Sequence, residues 1–272
     1  MNSDVIVIAG LGLLGLILGS FLNVVIARVP NGESVVRPSS RCPGCHTSIR
    51  VRDNIPIFSW IVLKGRCRVC EEPISLQYPL VELASAIAWT LIGWWATFGA
   101  GRWWVVPLLL AWASAAIALS VIDVRFHRLP NPIVYAMFPI TVVGLGIASL
   151  GTTEPPWIAV AVGAVVWAVP LGFIYLVSSG RGMGLGDVKM AVPLGATVGW
   201  FGVPTAAIGL MAAFVLGAVV GIAVLLAQPR GKGSSVPGKR IAFGPFLLVG
   251  AAVAIAWGDS LWERYLSLAG LS

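Results

Sequence analysis

Eight apolar stretches, each about long enough to cross a bilayer, constrain this chain more than any other feature. A hydrocarbon core of about 30 Å needs about 20 apolar residues per helix. The chain is 58% hydrophobic and only 11% charged, which excludes a soluble globular enzyme and a disordered protein. We therefore predict an all-α polytopic membrane protein with about eight transmembrane helices. The predicted spans are 5–27, 79–99, 104–122, 132–150, 156–178, 188–203, 204–227 and 243–262.

The positions of the positive charges predict the orientation of these helices. If the N-terminus lies outside, the cytoplasmic loops hold 16 of the 18 lysines and arginines. Cytoplasmic loops carry such an excess, so we predict that both termini lie outside. The net charge of +7 is then a consequence of topology, and we predict no nucleic-acid partner. No Lys or Arg precedes Arg28, so the first span is predicted to be an uncleaved helix rather than a signal peptide. The predicted cytoplasmic loops are 28–78, 123–131, 179–189 and 228–242.

All four cysteines lie in the one long polar stretch, residues 28–78. They form two C-x2-C pairs separated by 21 residues, slightly more than the roughly 15–20 of common zinc motifs. Four thiolates can hold one Zn2+ in a closed, structural site. Two disulfides or four unligated thiols are the alternatives, and the predicted cytosolic position argues against disulfides. His46 is expected to be a loop residue, because four cysteines complete the shell. The predicted ligands of this small cytosolic zinc-binding module are Cys42, Cys45, Cys67 and Cys70.

Two aspartates at the ends of predicted spans are the candidates for catalysis. Asp123 closes the third span and Asp187 opens the sixth. The chain crosses the membrane twice between them, so both carboxylates are expected at the cytoplasmic boundary. A close carboxylate pair shares one proton and can hydrolyse a peptide: the ionised partner activates water and the protonated partner polarises the carbonyl. From the residues alone, a helix cap at Asp187 and an ion pair of Asp123 with Arg125 or Arg128 remain open.

Other polar or unusual residues lie close to the predicted spans. The loop before Asp187 carries glycine at 180, 182, 184 and 186, which permits close approach of another backbone, although a flexible linker is the alternative. Glu82 is expected in the first turn of the second span, where a carboxylate suits the helix dipole. Lys189 flanks the second aspartate, and an ordinary interfacial lysine is the alternative.

Eight segments of the chain carry recognisable motifs: G-S-F-L-N-V-V-I-A-R-V-P (19–30), C-P-G-C (42–45), D-N-I-P-I-F-S-W (53–60), G-R-C-R-V-C (65–70), P-I-S-L-Q-Y-P-L-V-E (73–82), I-D-V-R-F-H-R-L-P-N (122–131), G-M-G-L-G-D-V-K (182–189) and F-G-P-F (243–246). Together they resemble the type IV prepilin peptidase family, the bifunctional leader peptidases and N-methyltransferases of bacterial pilus assembly and type II secretion. The segment 182–189 is also similar to the G-x-G-D motif of intramembrane aspartyl proteases.

The resemblance implies an aspartic endopeptidase with Asp123 and Asp187 as its catalytic pair. Its substrates would be prepilins or pseudopilins, cut on the cytoplasmic side just after a glycine. The new N-terminal residue would then be methylated with S-adenosylmethionine. The protein would lie among the lipids of the bacterial inner membrane. Residues of the matching segments are candidates for substrate binding or support (Gly184, Gly186, Lys189 and Glu82) and for methyl transfer (Glu33, Asp53 and Asn54).

The expected organisation is a first transmembrane helix (1–27), a zinc module associated with methyl transfer (28–78) and a membrane aspartyl peptidase bundle (79–272). Two other functions compete with this one. A non-enzymatic scaffold would dock partners through the zinc module, and a transporter would use the two aspartates as a proton relay. A transporter more often shows internal repeats and carboxylates near the midplane, whereas this sequence has no evident repeat and both aspartates at helix ends. The oligomeric state is not predicted.

Overall fold

The computed structural model describes residues 2–100, 102–227 and 242–270, and this part of the chain is almost entirely helical, without a strand. Seven of its helices are long and apolar enough to cross a membrane, which confirms the predicted fold class. The sixth predicted span (188–203) corresponds to α7, a helix of 15 residues that is not among these seven. The α-helices are α1 (Asn2–Arg28), α2 (Phe58–Val62), α3 (Gln77–Trp95), α4 (Val106–Phe126), α5 (Asn131–Ser149), α6 (Trp157–Val177), α7 (Leu185–Gly199), α8 (Val203–Leu226) and α9 (Gly244–Leu268).

Three helix boundaries differ from the sequence predictions in ways that matter for the candidate residues. Helix α4 continues three residues beyond Asp123 and ends where His127 takes a positive φ of 50°. Helix α7 begins at Leu185 rather than at 188, so Asp187 lies inside its first turn. Helix α3 begins at Gln77, because Pro79 is tolerated in a first turn, and Glu82 therefore lies in the second turn rather than the first. Most of the predicted cytoplasmic loop 228–242, residues 228–241, lies outside the described residues.

The chain forms two compact units, Met1–Val121 and Ile122–Ser272. In the first unit, α1 packs along α3 through a row of glycines. A Cβ at Gly15 would lie 2.6 Å from the carbonyl oxygen of Ser85, and one at Gly19 would lie 2.7 Å from the Cα of Glu82. Small residues let helix backbones approach this closely in a membrane, where packing replaces the hydrophobic effect between helices.

In the second unit, α7 contacts α5, α6, α8 and α9. Its contact with α6 is backbone on backbone: a Cβ at Gly163 would lie 2.5 Å from the carbonyl oxygen of Gly195 and 2.7 Å from the Cα of Gly199. The fully buried indole of Trp167 donates to the carbonyl oxygen of Ala206 at 2.8 Å, which ties α6 to α8. These contacts fix the position of the helix that carries Asp187.

Candidate active site and metal centre

Asp123 is a buried carboxylate near the end of α4, with 5% of its surface exposed. Its Oδ2 accepts a hydrogen bond of 3.2 Å from the backbone N–H of Gly244, the first residue of α9. The first N–H groups of a helix have no partner within the helix, so the start of α9 is a ready donor to a carboxylate. This bond links two elements that are 121 residues apart in sequence.

Asp187 is the second buried carboxylate of this unit, with 7% of its surface exposed. The backbone N–H of Asp187 donates to the carbonyl oxygen of Gly184 at 3.1 Å, which closes the turn that begins α7. Its Oδ1 is buried and accepts no hydrogen bond from the described part of the chain. A buried carboxylate oxygen is almost always hydrogen-bonded, so this oxygen is available to a ligand or a solvent molecule.

The two carboxyl groups share one space, directly over Gly244. A Cβ built on this glycine would lie 2.8 Å from Oδ2 of Asp123 and 3.5 Å from Oδ1 of Asp187. The two oxygens can therefore be no farther apart than the sum of these distances. Counting the membrane crossings between Asp123 and Asp187 predicted that both carboxylates face one membrane boundary, and the structure places the two carboxyl groups close together. Neither forms the alternative pair with Arg125 or Arg128 among the ion pairs of the described chain.

The remaining predicted residues of this unit lie in the first turns of α7 or just before it. A Cβ at Gly186 would lie 2.9 Å from the Cβ of Leu129, so the glycine allows the segment after α4 to pack against the start of α7. A Cβ at Gly184 would lie 3.0 Å from Oδ2 of Asp187. The ammonium of Lys189 points to α5: it donates to Oδ1 of Asn131 at 3.2 Å and lies 5.0 Å from the ring centre of Tyr135.

Gly244 was not among the residues predicted from sequence. Its segment, F-G-P-F, was recognised only as part of the resemblance. A glycine carries no chemistry of its own, and its contribution here is an N–H group and the absence of a side chain. The proline that follows a helix-starting glycine is the one local signal that α9 begins at this point.

The four cysteines form the second candidate site, in the first unit. All four Sγ atoms lie within 4.8 Å of one another, and the set could hold a metal ion. A tetrahedral Zn2+ with Zn–S bonds of about 2.3 Å requires sulfur atoms about 3.8 Å apart. The sulfurs of Cys42 and Cys70 are 3.6 Å apart, and those of Cys45 and Cys67 are 4.0 Å apart. The side chains present fit the ion, and His46 is not a member of the cluster in the described chain.

Each C-x2-C pair lies in a turn with the same backbone hydrogen bonds. The N–H of Cys42 donates to the carbonyl oxygen of Thr47 at 3.0 Å, and that of Cys67 donates to Glu72 at 2.8 Å. Each turn is closed by an isolated antiparallel bridge. The residue four positions after the first cysteine has a positive φ in both turns, and these residues are His46 and Glu71.

The thiols of Cys45 and Cys70 differ in pKa. Hydrogen bonds with Thr47 lower the pKa of Cys45 to about 6. A backbone hydrogen bond at Glu72 lowers the pKa of Cys70, but desolvation and the three neighbouring sulfurs together outweigh it and raise this pKa to about 12. Four adjacent thiolates repel one another, and a divalent ion at their centre removes that repulsion.

Glu82 lies in the first unit, where it accepts hydrogen bonds from the segment that follows the first cysteine pair. It is 6% exposed, and its Oε2 accepts from the backbone N–H of Ile57 at 2.7 Å. Ser20 on α1 lies near this carboxylate. Glu82 therefore joins α1, α3 and the polar module, and its predicted role at the substrate remains a hypothesis.

The three candidates for methyl transfer occupy different environments. Glu33 follows α1 in an exposed turn, where its N–H donates to the carbonyl oxygen of Arg28 at 3.1 Å. Asp53 accepts three hydrogen bonds from Arg68, at 2.7, 3.0 and 3.2 Å, which lower the pKa of its carboxyl group. Asn54 lines a cavity beside α1. Asp53 thus connects its turn to the second cysteine pair, a structural contact that the sequence did not indicate.

Comparison with known proteins gives the context of both sites. The sequence model of one protein family, the bacterial peptidase A24 N-terminal domain, matches residues 13–96. The sequence model of the type IV leader peptidase family matches residues 108–225. The chain is 36% identical to a protein of Stutzerimonas stutzeri over 95% of this chain and 93% of that protein. It is 35% identical to a protein of Aeromonas hydrophila over 94% of this chain and 92% of that protein. It is 31% identical to a protein of Pseudomonas aeruginosa over 95% of this chain and 93% of that protein.

All three relatives are named prepilin leader peptidase/N-methyltransferase. No solved structure matches the chain. The two family models together cover the four-cysteine cluster and both buried aspartates. The resemblance predicted from the sequence motifs is thereby confirmed, and the chain belongs to the type IV leader peptidase family.

Proposed function

We propose that this protein cleaves the leader peptides of prepilins or pseudopilins with Asp123 and Asp187, and that it N-methylates the new N-terminal residue. The observation that carries the peptidase half is the shared space of the two carboxyl groups over Gly244. The family match and the names of the relatives support both halves.

The hydrogen bonds of the two carboxyl groups suggest different roles for them. Asp123 accepts an N–H bond from the start of α9, and such a bond stabilises an ionised carboxylate. Asp187 is buried, and its Oδ1 accepts no bond within the described chain, which favours the protonated acid. Asp123 would then take a proton from the attacking water, while Asp187 donates a hydrogen bond to the scissile carbonyl oxygen. The proton held by Asp123 then passes to the leaving amine.

The methyl-transfer half is assigned to the polar module, residues 28–78, and the peptidase half to the helical bundle, residues 79–272, with the first helix (1–27) as a further segment. S-adenosylmethionine would supply an activated methyl group. Zn2+ on the four cysteines would be structural, because a four-thiolate shell leaves no open position for a substrate. Its contribution would be to hold the two cysteine turns together.

The proposed membrane is the bacterial inner membrane, with the module and the two aspartates on the cytoplasmic side. The excess of Lys and Arg in the corresponding loops supports this orientation. Helices α5 and α6 lie between the two aspartates and are both long enough to cross the bilayer, which supports a common side for Asp123 and Asp187. For the C-terminus to lie outside, α7 must also cross the bilayer.

The test is cleavage of a prepilin by the purified protein in liposomes. Asp123→Asn and Asp187→Asn should each abolish cleavage, because an amide can neither accept nor return the required proton. The matched control is Asp259→Asn, since Asp259 is a carboxylate of the same unit that accepts from Thr205 Oγ1 at 3.3 Å.

Each variant is first checked for normal thermal unfolding. Cleavage by wild type and by Asp259→Asn, with none by the other two, is the expected result. Full activity of either Asp123→Asn or Asp187→Asn would refute the dyad. Absence of cleavage by wild type on several prepilins would refute the peptidase function and favour a scaffold that uses the metal module to dock partners.

A further inference from the structure

The short helix α2 carries an exposed apolar face in the otherwise polar module. Phe58, Ile61 and Val62 are three and four residues apart, so they share one face of the helix. Their exposed fractions are 61%, 61% and 55%. On the rest of the helix, Ser59 is buried and the indole N–H of Trp60 is hydrogen-bonded within the module at 3.2 Å. The module therefore holds α2 by one side and leaves its apolar face free.

The position of α2 along α1 places this face at the depth of the bilayer. A Cβ at Gly19 of α1 would lie 2.7 Å from the Cα of Glu82, and Glu82 accepts from the backbone N–H of Ile57, the residue before α2, at 2.7 Å. Gly19 precedes the end of α1 at Arg28 by nine residues, or about 13 Å. The 27 residues of α1 extend about 40 Å, about 10 Å more than the hydrocarbon core. Even if all of this excess lies on the module's side, Gly19 is about 3 Å inside the core, and α2 begins at the edge of the core rather than in water.

Helix α3 gives the same depth independently. The span Gln77–Gly99 has 23 residues and extends about 34 Å, about 4 Å more than the core. Glu82 is five residues, or about 7 Å, from the start of this span. In addition, Pro56 lines a cavity together with Ile17 and Phe21 of α1. The segment before α2 therefore lies beside a part of α1 that spans the membrane.

The backbone of this segment meets the requirement for a place beside lipid. The hydrocarbon core holds no water, so each N–H group there needs an acceptor in the protein. The N–H of Ile55 donates to Oγ of Ser59 at 3.0 Å, and that of Ile57 donates to Glu82. The N–H groups of Ser59 and Ile61 donate to the carbonyl oxygens of Ile55 and Ile57 at 3.0 and 3.1 Å. The buried carboxylate of Glu82 thus satisfies a donor that the short helix cannot satisfy itself.

Exposed cations lie on both sides of the apolar face in the sequence. Arg50 and Arg52 precede α2, and Lys64 follows it. Apolar side chains flanked by Lys and Arg are typical of segments that lie in the interface of a bilayer, with the cations at the level of anionic headgroups. The charge around α2 therefore fits a lipid surface.

We propose that α2 is an interfacial anchor of the module. Phe58, Ile61 and Val62 insert among the acyl chains of the leaflet on the module's side, and the three cations bind anionic headgroups. The anchor requires neither of the two proposed activities. It holds the second cysteine turn at the membrane surface, because Cys67 follows the end of α2 by only five residues.

The test is photo-cross-linking of the full-length protein in vesicles of phosphatidylethanolamine and phosphatidylglycerol. The photoreactive residue p-benzoylphenylalanine replaces Phe58 in one variant and Ile61 in a second. In the matched control it replaces Val69, an apolar residue of the module that is 62% exposed but is followed closely by the exposed acids Glu71 and Glu72. Mass spectrometry identifies the adducts, and zinc content and thermal unfolding report the fold of every variant.

We expect lipid adducts from positions 58 and 61 and none from position 69. If one of the two α2 variants fails to fold, the other decides. Absence of lipid adducts at α2 would overturn the proposal, and so would adducts with peptides of this protein alone, which would show that another part of the chain or a second copy covers the face. Equal lipid adducts from all three positions would overturn the assignment of the insertion to α2.

The cations are tested with the same variants in vesicles of phosphatidylcholine alone. The yield of lipid adducts at position 58 should be severalfold lower there, because Lys and Arg near an anionic surface contribute to binding. An unchanged yield would refute the role of Arg50, Arg52 and Lys64.

Discussion

Replacing Gly244 with alanine tests the geometry of the two carboxyl groups without removing either. The new methyl would lie 2.8 Å from Oδ2 of Asp123 and 3.5 Å from Oδ1 of Asp187. Carbon and oxygen atoms that are not bonded normally approach to about 3.3–3.6 Å, so Asp123 would have to move by about 0.5 Å. Because its Oδ2 is bonded to the N–H of residue 244 at 3.2 Å, the movement also disturbs that bond.

The expected loss follows from the sensitivity of catalysis to position. A misplacement of about 1 Å costs about 100-fold in rate, so a shift of about half that size predicts a loss of about 10- to 100-fold, or about 1.4–2.7 kcal/mol of transition-state stabilisation. The assay is single-turnover cleavage of a prepilin in liposomes. Stability should change little, because alanine is a good helix former at the first position of α9.

The matched control is Gly146→Ala, in a helix of the same unit, where an added Cβ meets nothing within 4 Å. It should cleave at the wild-type rate. If Gly244→Ala is folded and cleaves as fast as wild type, the carboxyl groups do not work from the space over this glycine, and the proposed arrangement of the dyad is wrong.

Three further changes probe the rest of the molecule. Cys42→Ser should lose Zn2+ in a metal assay and make the module sensitive to protease, and methylation should fall more than prepilin cleavage. The control His46→Ser should keep the ion. Equal loss of both activities in Cys42→Ser would contradict the assignment of methyl transfer to the module and of cleavage to the bundle. The hydrogen bonds from Arg68 hold the pKa of Asp53 below its ordinary value of 3.8, so the pair stabilises the module above that pH and the stabilisation is lost as the pH falls through the lowered pKa. In Asp53→Asn, the protease resistance of the module should therefore no longer change with pH in this range. If the variant shows the same loss of resistance in acid as wild type, the loss belongs to another titrating group. Gly163→Ala should lower the thermal stability of the protein by about 1–3 kcal/mol, because backbone atoms of α7 must move to admit the methyl; an unchanged melting temperature would show that the α6–α7 contact is looser than described.

The long helices could be predicted from sequence because a span in lipid must satisfy its own backbone hydrogen bonds and therefore shows a long apolar stretch. The cysteine cluster was predictable for a similar reason, since ligand type and spacing are local properties. Counting the crossings between Asp123 and Asp187 predicted a common membrane boundary for them, and their carboxyl groups do lie close together. None of these steps required knowledge of which helices are neighbours.

The contacts that depend on neighbours could not be predicted. Gly244 contributes an amide and an empty space, and neither has a signature in the sequence without the tertiary contact to Asp123. Asp53 was a candidate for methyl transfer, but its bond to Arg68 joins two irregular segments that show no periodicity. The backbone N–H of Ile57 is bonded to a carboxylate 25 residues away, that of Glu82.

The shortness of α7 has a consequence for how water reaches the reaction. Its 15 residues extend about 22 Å, whereas the hydrocarbon core is about 30 Å thick. At its far end, Trp200 packs edge-to-face on Trp157 with ring centres 5.9 Å apart, and paired tryptophans are typical of the interface of a bilayer. If that end lies at the outer interface, the first residue of the helix lies about 8 Å beneath the opposite one, and Asp187, two residues further on, about 11 Å beneath it. Hydrolysis would then take place at the bottom of a shallow, water-filled depression in the membrane, or where the lipid thins to meet the helix.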